Sequence, residues 1–433
     1  MAGAGSAWQA LSGRLRFGLI DLVRGTHALA LLRQLEVAQF APAAHLAWQQ
    51  KSVLADYVSR VRASSELYAS YGAFVQFPVI DKAFANARRS KLINHNYRGK
   101  LVRKKTGGST GEPFVYVTGT RAQSWLWAAI LLSWRVAGYQ LGERVAFLAG
   151  SALFGHGYKQ RWYYRIMNVT LLSAFDLSRA RLAHYAQLLC SQRCRLLYGY
   201  ASAIHLLAQY LLTLPERPAF ALRGVVCTAE VLTDSMRADI ERAFQVDCYS
   251  QYGCNDAGVA AYECEQRAGF HLITGRAWHE VLPNGRLIAT DMANDALFLP
   301  RYDTGDLVSM APEPCPCGRG YPLIQQVIGR ANDLVSDPAG NTVHAEFFTH
   351  LFREDALIAA FQVLYDDAEL VIIIRCPKTA PVLDPYLARI GASLQFDMIR
   401  FAVNVPFICI KNGKHRFVLK LDSVATEFAH AHG

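Results

Sequence analysis

Two groups of residues in this 433-residue chain carry chemistry in their types and spacing. The first is the run Lys105-Thr106-Gly107-Gly108-Ser109-Thr110-Gly111-Glu112-Pro113. Glycines open backbone conformations closed to other residues, so successive N–H groups can converge on phosphate oxygens. The hydroxyls of Thr106, Ser109 and Thr110 add donors. The Gly-Lys-Ser/Thr ending of a Walker loop is absent. Taken alone, the run reads equally as a turn-rich hairpin loop. The second group is Cys264, His271, Cys315 and Cys317. Thiolates and imidazole are soft to borderline ligands, and four of them suit tetrahedral Zn²⁺. The Cys-x-Cys spacing is tighter than usual, and free thiols beside an exposed histidine are the alternative. Four protein ligands leave no coordination position open, so a zinc ion here is expected to stabilise and not to catalyse.

Such residues need a scaffold, and the composition supplies one. Hydrophobic residues make up 52% of the chain and charged residues 18%, which excludes an intrinsically disordered polymer. Residues 1–75 read as a helical lead-in, with Leu46, Val53, Leu54, Tyr57 and Val61 at near-helical spacing. Phe77-Pro78 breaks that region. From about residue 100, short β-rich runs alternate with helical ones. The strands are expected at Phe114–Val117, Val145–Leu148, Arg195–Tyr198, Gly224–Cys227 and Asp247–Tyr252. The helices are expected at Ser124–Ala137, Ser178–Cys190, Ala203–Leu212 and Asp234–Ala243. This alternation predicts an α/β sheet with crossover helices. Hairpin-like strands follow around Leu287–Thr290. A last segment holds a strand at Glu369–Arg375, a helix at Leu383–Leu394 and a terminal strand near Arg416–Leu421. The expected domains are 1–328 and 329–433.

Other function classes recede on charge and hydropathy. The net charge is +10, yet no Lys/Arg run exceeds Arg103-Lys104-Lys105, so no nucleic-acid partner is expected. The most apolar helical stretch, Trp125 to Ser133, is closed by Arg135, well short of the roughly 20 residues that span a bilayer. Membrane insertion is therefore not expected. Ten cysteines without a paired Cys-x-x-Cys framework, and no secretory leader pattern, point to a cytoplasmic protein.

Three further runs change the reading of the glycine-rich loop: Tyr252-Gly253-Cys254-Asn255-Asp256, Arg301-Tyr302-Asp303-Thr304-Gly305-Asp306 and Ile328-Gly329-Arg330-Ala331-Asn332-Asp333. In order and separation they resemble the adenylate-forming superfamily of acyl-CoA synthetases and ligases. Phe77-Pro78-Val79-Ile80-Asp81-Lys82, Tyr198-Gly199-Tyr200-Ala201-Ser202, Thr228-Ala229-Glu230, Glu263-Cys264 and Cys315-Pro316-Cys317-Gly318-Arg319 narrow the resemblance. They are similar to phenylacetate-CoA ligases and to CapK-like proteins of capsular-polysaccharide biosynthesis. The resemblance runs from about residue 75 to the C-terminus.

The resemblance implies ATP-dependent activation of a small-molecule carboxylic acid, giving an acyl-adenylate and pyrophosphate. The acyl group then passes to coenzyme A, a carrier protein or an amine. It also implies a large N-terminal α/β domain with parallel sheets and a small β-barrel, followed by a mobile α+β cap. Thr106–Gly111 would hold the β- and γ-phosphates. Ala229 and Glu230 would line the adenine pocket, and Tyr252, beside Gly253, would stack near the adenine. Asp256 stands where relatives have Glu and would bind the Mg²⁺ that travels with ATP; it also reads as part of a turn. Asp306 would accept both ribose hydroxyls. Arg330 would lie near phosphate or ribose at the domain junction, and Asn332 stands where many relatives have a hinge Asp. Lys414 would bridge the substrate carboxylate and the α-phosphate. Relatives share the Glu-Cys…His…Cys-x-Cys-Gly-Arg pattern, which strengthens the zinc reading. The departures at Glu112, Asp256 and Asn332 leave a second expectation, a catalytically degenerate nucleotide-binding or scaffold relative.

Overall fold

The computed structural model describes residues 2–105, 114–149, 158–174, 177, 179–330, 334–344, 348, 351–352, 355, 357–358, 360–376, 379–408 and 418–421. Three helices lead: α1 (Ala2–Arg24), α2 (Ala28–Ala38) and α3 (Ala43–Ser64). The Asp21 carboxylate starts α2, accepting from the backbone N–H groups of Ala28 (3.0 Å) and Leu29 (3.1 Å). Two short helices follow, α4 (Lys82–Ala87) and α5 (Arg89–Leu92), and then an antiparallel pair, β1 (Val102–Lys105) and β2 (Val115–Thr118).

The alternating region holds α6 (Thr120–Val136), β3 (Val145–Ala149), α7 (Tyr158–Ile166), β4 (Val169–Ser173), α8 (Arg179–Ser191), β5 (Leu196–Tyr200), α9 (Ala201–Leu212), β6 (Gly224–Thr228), α10 (Asp234–Phe244) and β7 (Cys248–Cys254); all but α7 and β4 were expected from the sequence. The strands β3 to β7 are parallel to one another. Both faces of this part are covered, so β3 is buried at every position. One face packs on α6 through Leu131, Leu132 and Trp134; the other packs on α8, α9 and α10. Trp134 lies wholly in that core. Gly199 in β5 is required by crowding: a Cβ there would fall 1.9 Å from the Leu148 carbonyl oxygen.

Beyond β7 the strands turn antiparallel: β8 (Val259–Glu263), β9 (Phe270–Leu272), β10 (Ala277–Val281), β11 (Arg286–Asp291), β12 (Tyr302–Met310) and β13 (Leu323–Arg330). The lateral order is β10-β11-β12-β13-β9-β8-β7-β6-β5-β3-β4, a single eleven-stranded sheet. The antiparallel part is thus hydrogen-bonded to the parallel part as its continuation.

One compact unit comprises Met1–Lys105 and Val115–Ile328, and a second comprises Thr106–Phe114 and Gly329–Gly433. The second holds a two-stranded pair, β14 (Leu334–Ser336) with β15 (Thr342–His344). Its main sheet joins β16 (Ala360–Tyr365), β17 (Glu369–Arg375), β18 (Met398–Val403) and β19 (Val418–Lys420) in the order β18-β17-β16-β19. Val363, Leu370, Ile372 and Ile374 pack there against Ile390 of a helix, Asp384–Gly391.

Candidate nucleotide site and metal centre

Strand β7 is the seam of the large sheet, parallel to β6 on one side and antiparallel to β8 on the other. Ligands of open α/β sheets gather outside the carboxyl ends of the parallel strands, and the expected residues stand there. Thr228 closes β6, and Ala229, at φ +66°, turns the chain away. The Glu230 carboxylate accepts from the Ser202 backbone N–H (2.8 Å) in the first turn of α9. It therefore caps that helix.

Tyr252 and Gly253 lie near the end of β7. The Tyr252 hydroxyl donates to Asp306 Oδ2 at 2.6 Å. Asp306 belongs to β12, which bulges at Thr304-Gly305-Asp306. Asp303 pairs with Ile288 and Leu307 with Arg286, so β12 advances four residues while β11 advances two. Gly305 sits at φ +75°, its N–H on Asp303 Oδ1 (2.9 Å), and the Asp306 N–H donates to Thr304 Oγ1 (3.1 Å). The bulge turns the Asp306 carboxylate, 8% exposed, towards Tyr252.

Asp256 lies in the β7–β8 turn. Its Oδ1 accepts from the Cys254 thiol (2.9 Å) and its Oδ2 from the Tyr302 hydroxyl (3.1 Å). Both donors are neutral and the carboxylate is half-buried, so lone pairs remain for a cation. Burial, and then the Asp256 charge, hold the Tyr302 hydroxyl far above the usual phenol range. The turn demands Gly258 at φ +75°, because a Cβ there would lie 2.5 Å from Asp291 Cγ.

Behind this turn stands a polar group that sequence reasoning missed. Arg276, 1% exposed, pairs through Nη2 with Asp291 Oδ2 at 2.9 Å. Among the described residues its Nε and Nη1 have no hydrogen-bond partner, and neither has either ring nitrogen of His279. Lys104 of β1 stands opposite Tyr116 of β2. Burial, reinforced by the Arg276 charge, lowers its ammonium to about 7. Nothing in the local sequence marks Arg276 or His279. In the sequence Lys104 stands out only as part of a basic run, and Tyr302 only as part of the Arg301–Asp306 run.

The cysteine–histidine set does come together. Cys264 follows β8, His271 lies on β9, and Tyr262 of β8 pairs with His271. Leu323 of β13 pairs with His271 from the other side, and Cys315 and Cys317 lie in the connection from β12 to β13. All four ligand atoms fall within 4.8 Å of one another. Cys264 Sγ is 3.6 Å from Cys315 Sγ, and Cys317 Sγ is 3.3 Å from His271 Nε2. Tetrahedral zinc with Zn–S near 2.3 Å needs sulfurs about 3.8 Å apart, so the set fits. Burial lowers His271 to about 4 and so keeps its imidazole neutral, the form that binds metals. The Arg319 guanidinium anchors the loop, held by Glu265 (2.7 and 3.0 Å) and by Gln39 Oε1 (2.8 Å). Thr106–Gly111, Glu112, Asn332, Lys414 and the Arg330 side chain lie outside the described residues.

No protein-family model matches the chain. Protein CapK of Staphylococcus aureus is 26% identical over 343 residues, covering 77% of this chain and 75% of CapK. The phenylacetate-coenzyme A ligase of Pseudomonas putida is 26% identical over 252 residues, 53% of this chain and 54% of that enzyme. In sequence the chain is similar to CapK and to the phenylacetate-coenzyme A ligases, at 25–26% identity. Among solved structures, 2-hydroxyisobutyryl-CoA ligase in its postadenylation state matches with a TM-score of 0.67 at 16% identity, over 91% of this chain and 93% of that one. That likeness is one of fold, a mixed α/β architecture built on a large sheet.

Proposed function

We propose that the chain is an ATP-dependent, AMP-forming ligase that activates a carboxylic acid and passes the acyl group to coenzyme A. The observation that carries this reading is the convergence of Asp306, Tyr252 and Asp256 at the seam of the sheet, in a chain related to CapK and phenylacetate-coenzyme A ligases. A carboxylate is a poor electrophile at neutral pH. One of its oxygens attacks the α-phosphorus of ATP, the bond to the bridging oxygen breaks, and pyrophosphate leaves. The thiol sulfur then attacks the acyl carbon, loses its proton, and AMP departs.

Within that scheme Asp306, an ionised acceptor, orients the ribose hydroxyls, and the Tyr252 ring flanks the base. The backbone at Ala229 borders the adenine. Asp256 holds Mg²⁺, whose charge neutralises the phosphates; a single carboxylate plus phosphate oxygens is an ordinary Mg²⁺ environment. Thr106–Gly111, Arg330 and Lys414 are assigned to phosphate, junction and transferring-group contacts on the family pattern. The Cys264, His271, Cys315 and Cys317 cluster supports a structural zinc ion. A carrier-protein thiol or an amine remains the alternative acceptor.

Pyrophosphate release tests the reading, with ATP, Mg²⁺ and a panel of aryl, fatty and amino acids. Acid-dependent release and AMP formation are expected for one class, with consumption of added coenzyme A. Absence of both across the panel, together with absence of ATP binding, removes the proposal. Tight ATP binding without turnover favours the degenerate relative.

A further inference from the structure

Helix α1 has two apolar faces. The inward one carries Gly13, Phe17 and Ile20; Phe17 and Ile20 are buried, and Gly13 sits tightly against the Leu141 carbonyl. This contact fixes the helix and turns the opposite face to solvent. That outer face carries Leu11, Leu15, Leu19, Leu22 and Val23, at the i, i+4, i+8, i+11 and i+12 positions of one stripe. These five side chains are between 49% and 78% exposed. Single exposed leucines need no explanation, but a continuous stripe costs free energy unless something covers it.

The charges around the stripe say what covers it. Arg14 and Arg16 are exposed beside Leu15, and Lys100 reaches the far end, its Nζ on the Val23 carbonyl at 2.7 Å. Asp21 is the one acid among the first 35 residues. Its carboxylate is taken up by Thr26 and by the first turn of α2, so it does not counter the basic rim. Among the described residues no helix is long and apolar enough to cross a membrane, so the helix can lie on a bilayer but not span it. A leucine stripe rimmed by arginine and lysine is the pattern of a helix that lies in a lipid headgroup layer.

We propose that α1 docks the protein, flat, on an anionic lipid surface, with the leucines in the acyl boundary and Arg14, Arg16 and Lys100 on the headgroups. The test is co-sedimentation of the full chain with vesicles of phosphatidylcholine alone or of equimolar phosphatidylcholine and phosphatidylglycerol. Binding is expected to the second only and should weaken as salt rises. Leu15→Glu/Leu19→Glu and Arg14→Glu/Arg16→Glu should each lower the partition coefficient roughly tenfold or more. All four positions are exposed, so melting temperature and acid-dependent pyrophosphate release in solution should stay as in the parent. The proposal is overturned if the parent binds neither vesicle or if the leucine variant binds like the parent. It is also overturned if light scattering shows the stripe buried in a dimer that does not bind lipid and that the leucine variant dissociates.

Discussion

At the scale of single residues, the bond between the Tyr252 hydroxyl and Asp306 sets what each side chain can do. The carboxylate accepts from the Tyr252 hydroxyl of β7, which helps to fix its orientation for the ribose role proposed above. Asp306→Ala should therefore lower kcat/KM for ATP by about 10- to 100-fold, the size of losing one or two charged hydrogen bonds. Tyr252→Phe should cost less, because the ring remains. Steady-state kinetics with ATP varied separates the two, and equal losses would contradict the assignment. Lys104 makes a different prediction. An unfolded chain holds that proton up to about 10.5, the folded chain only up to about 7. The unfolded state thus binds more protons between these values, and stability should rise with pH across that window. Below about 7 the penalty is fully present. Lys104→Met should flatten this rise, as read by denaturant midpoints from pH 7 upward; parallel slopes in both proteins would refute it.

At the scale of elements, the cysteine–histidine cluster ties three segments that the sheet alone joins loosely. Strand β9 is three residues long and has β8 and β13 as its neighbours, while the Cys315–Cys317 loop is otherwise held through Arg319. Cys264→Ser should lower zinc content from one per chain towards zero and drop the melting temperature by roughly 5–10 °C. Elemental analysis beside calorimetry checks it, and unchanged melting with little zinc in the parent would rule the ion out. These elements also show what was legible. Strands β3, β5 and β6 announce themselves as apolar runs because both faces are covered, while the edge strand β4, mostly half-buried, was missed. The helices between them carry clean periodicity. The placement of β13 between β12 and β9 carries no local signal, since it depends on pairing across some fifty residues of chain. Arg276 and His279 were invisible for a related reason: a buried ion pair and an unpartnered imidazole leave no periodic trace. The metal ligands were legible because their types are rare and chemically narrow. The β12 bulge, which aims Asp306, was not.

At the scale of the whole molecule, the proposed reaction draws on both units of the chain, since Lys414, the charge proposed for the transferring group, lies within the sequence of the second. Lys414→Ala should reduce acid-dependent adenylation by about 10²-fold or more. It should leave thioester formation from a supplied acyl-adenylate largely intact. Comparing the two half-reactions on one protein sample checks this. Equal loss in both would mean that the lysine serves something other than the first step.

The seam strand has one more consequence, for the order in which the chain folds. The β7–β8 hairpin pairs Cys254 with Val259 and closes locally. The contact of Tyr252 with Asp306 spans 54 residues, and the pairing of β6 with β7 waits on α10. Loop-closure entropy delays the longer contacts, so the hairpin precedes the acceptor carboxylate. A refolding chain would form the hairpin that carries Tyr252 well before the Tyr252–Asp306 contact, so on the proposed roles nucleotide added at the start should bind only after the long loop has closed.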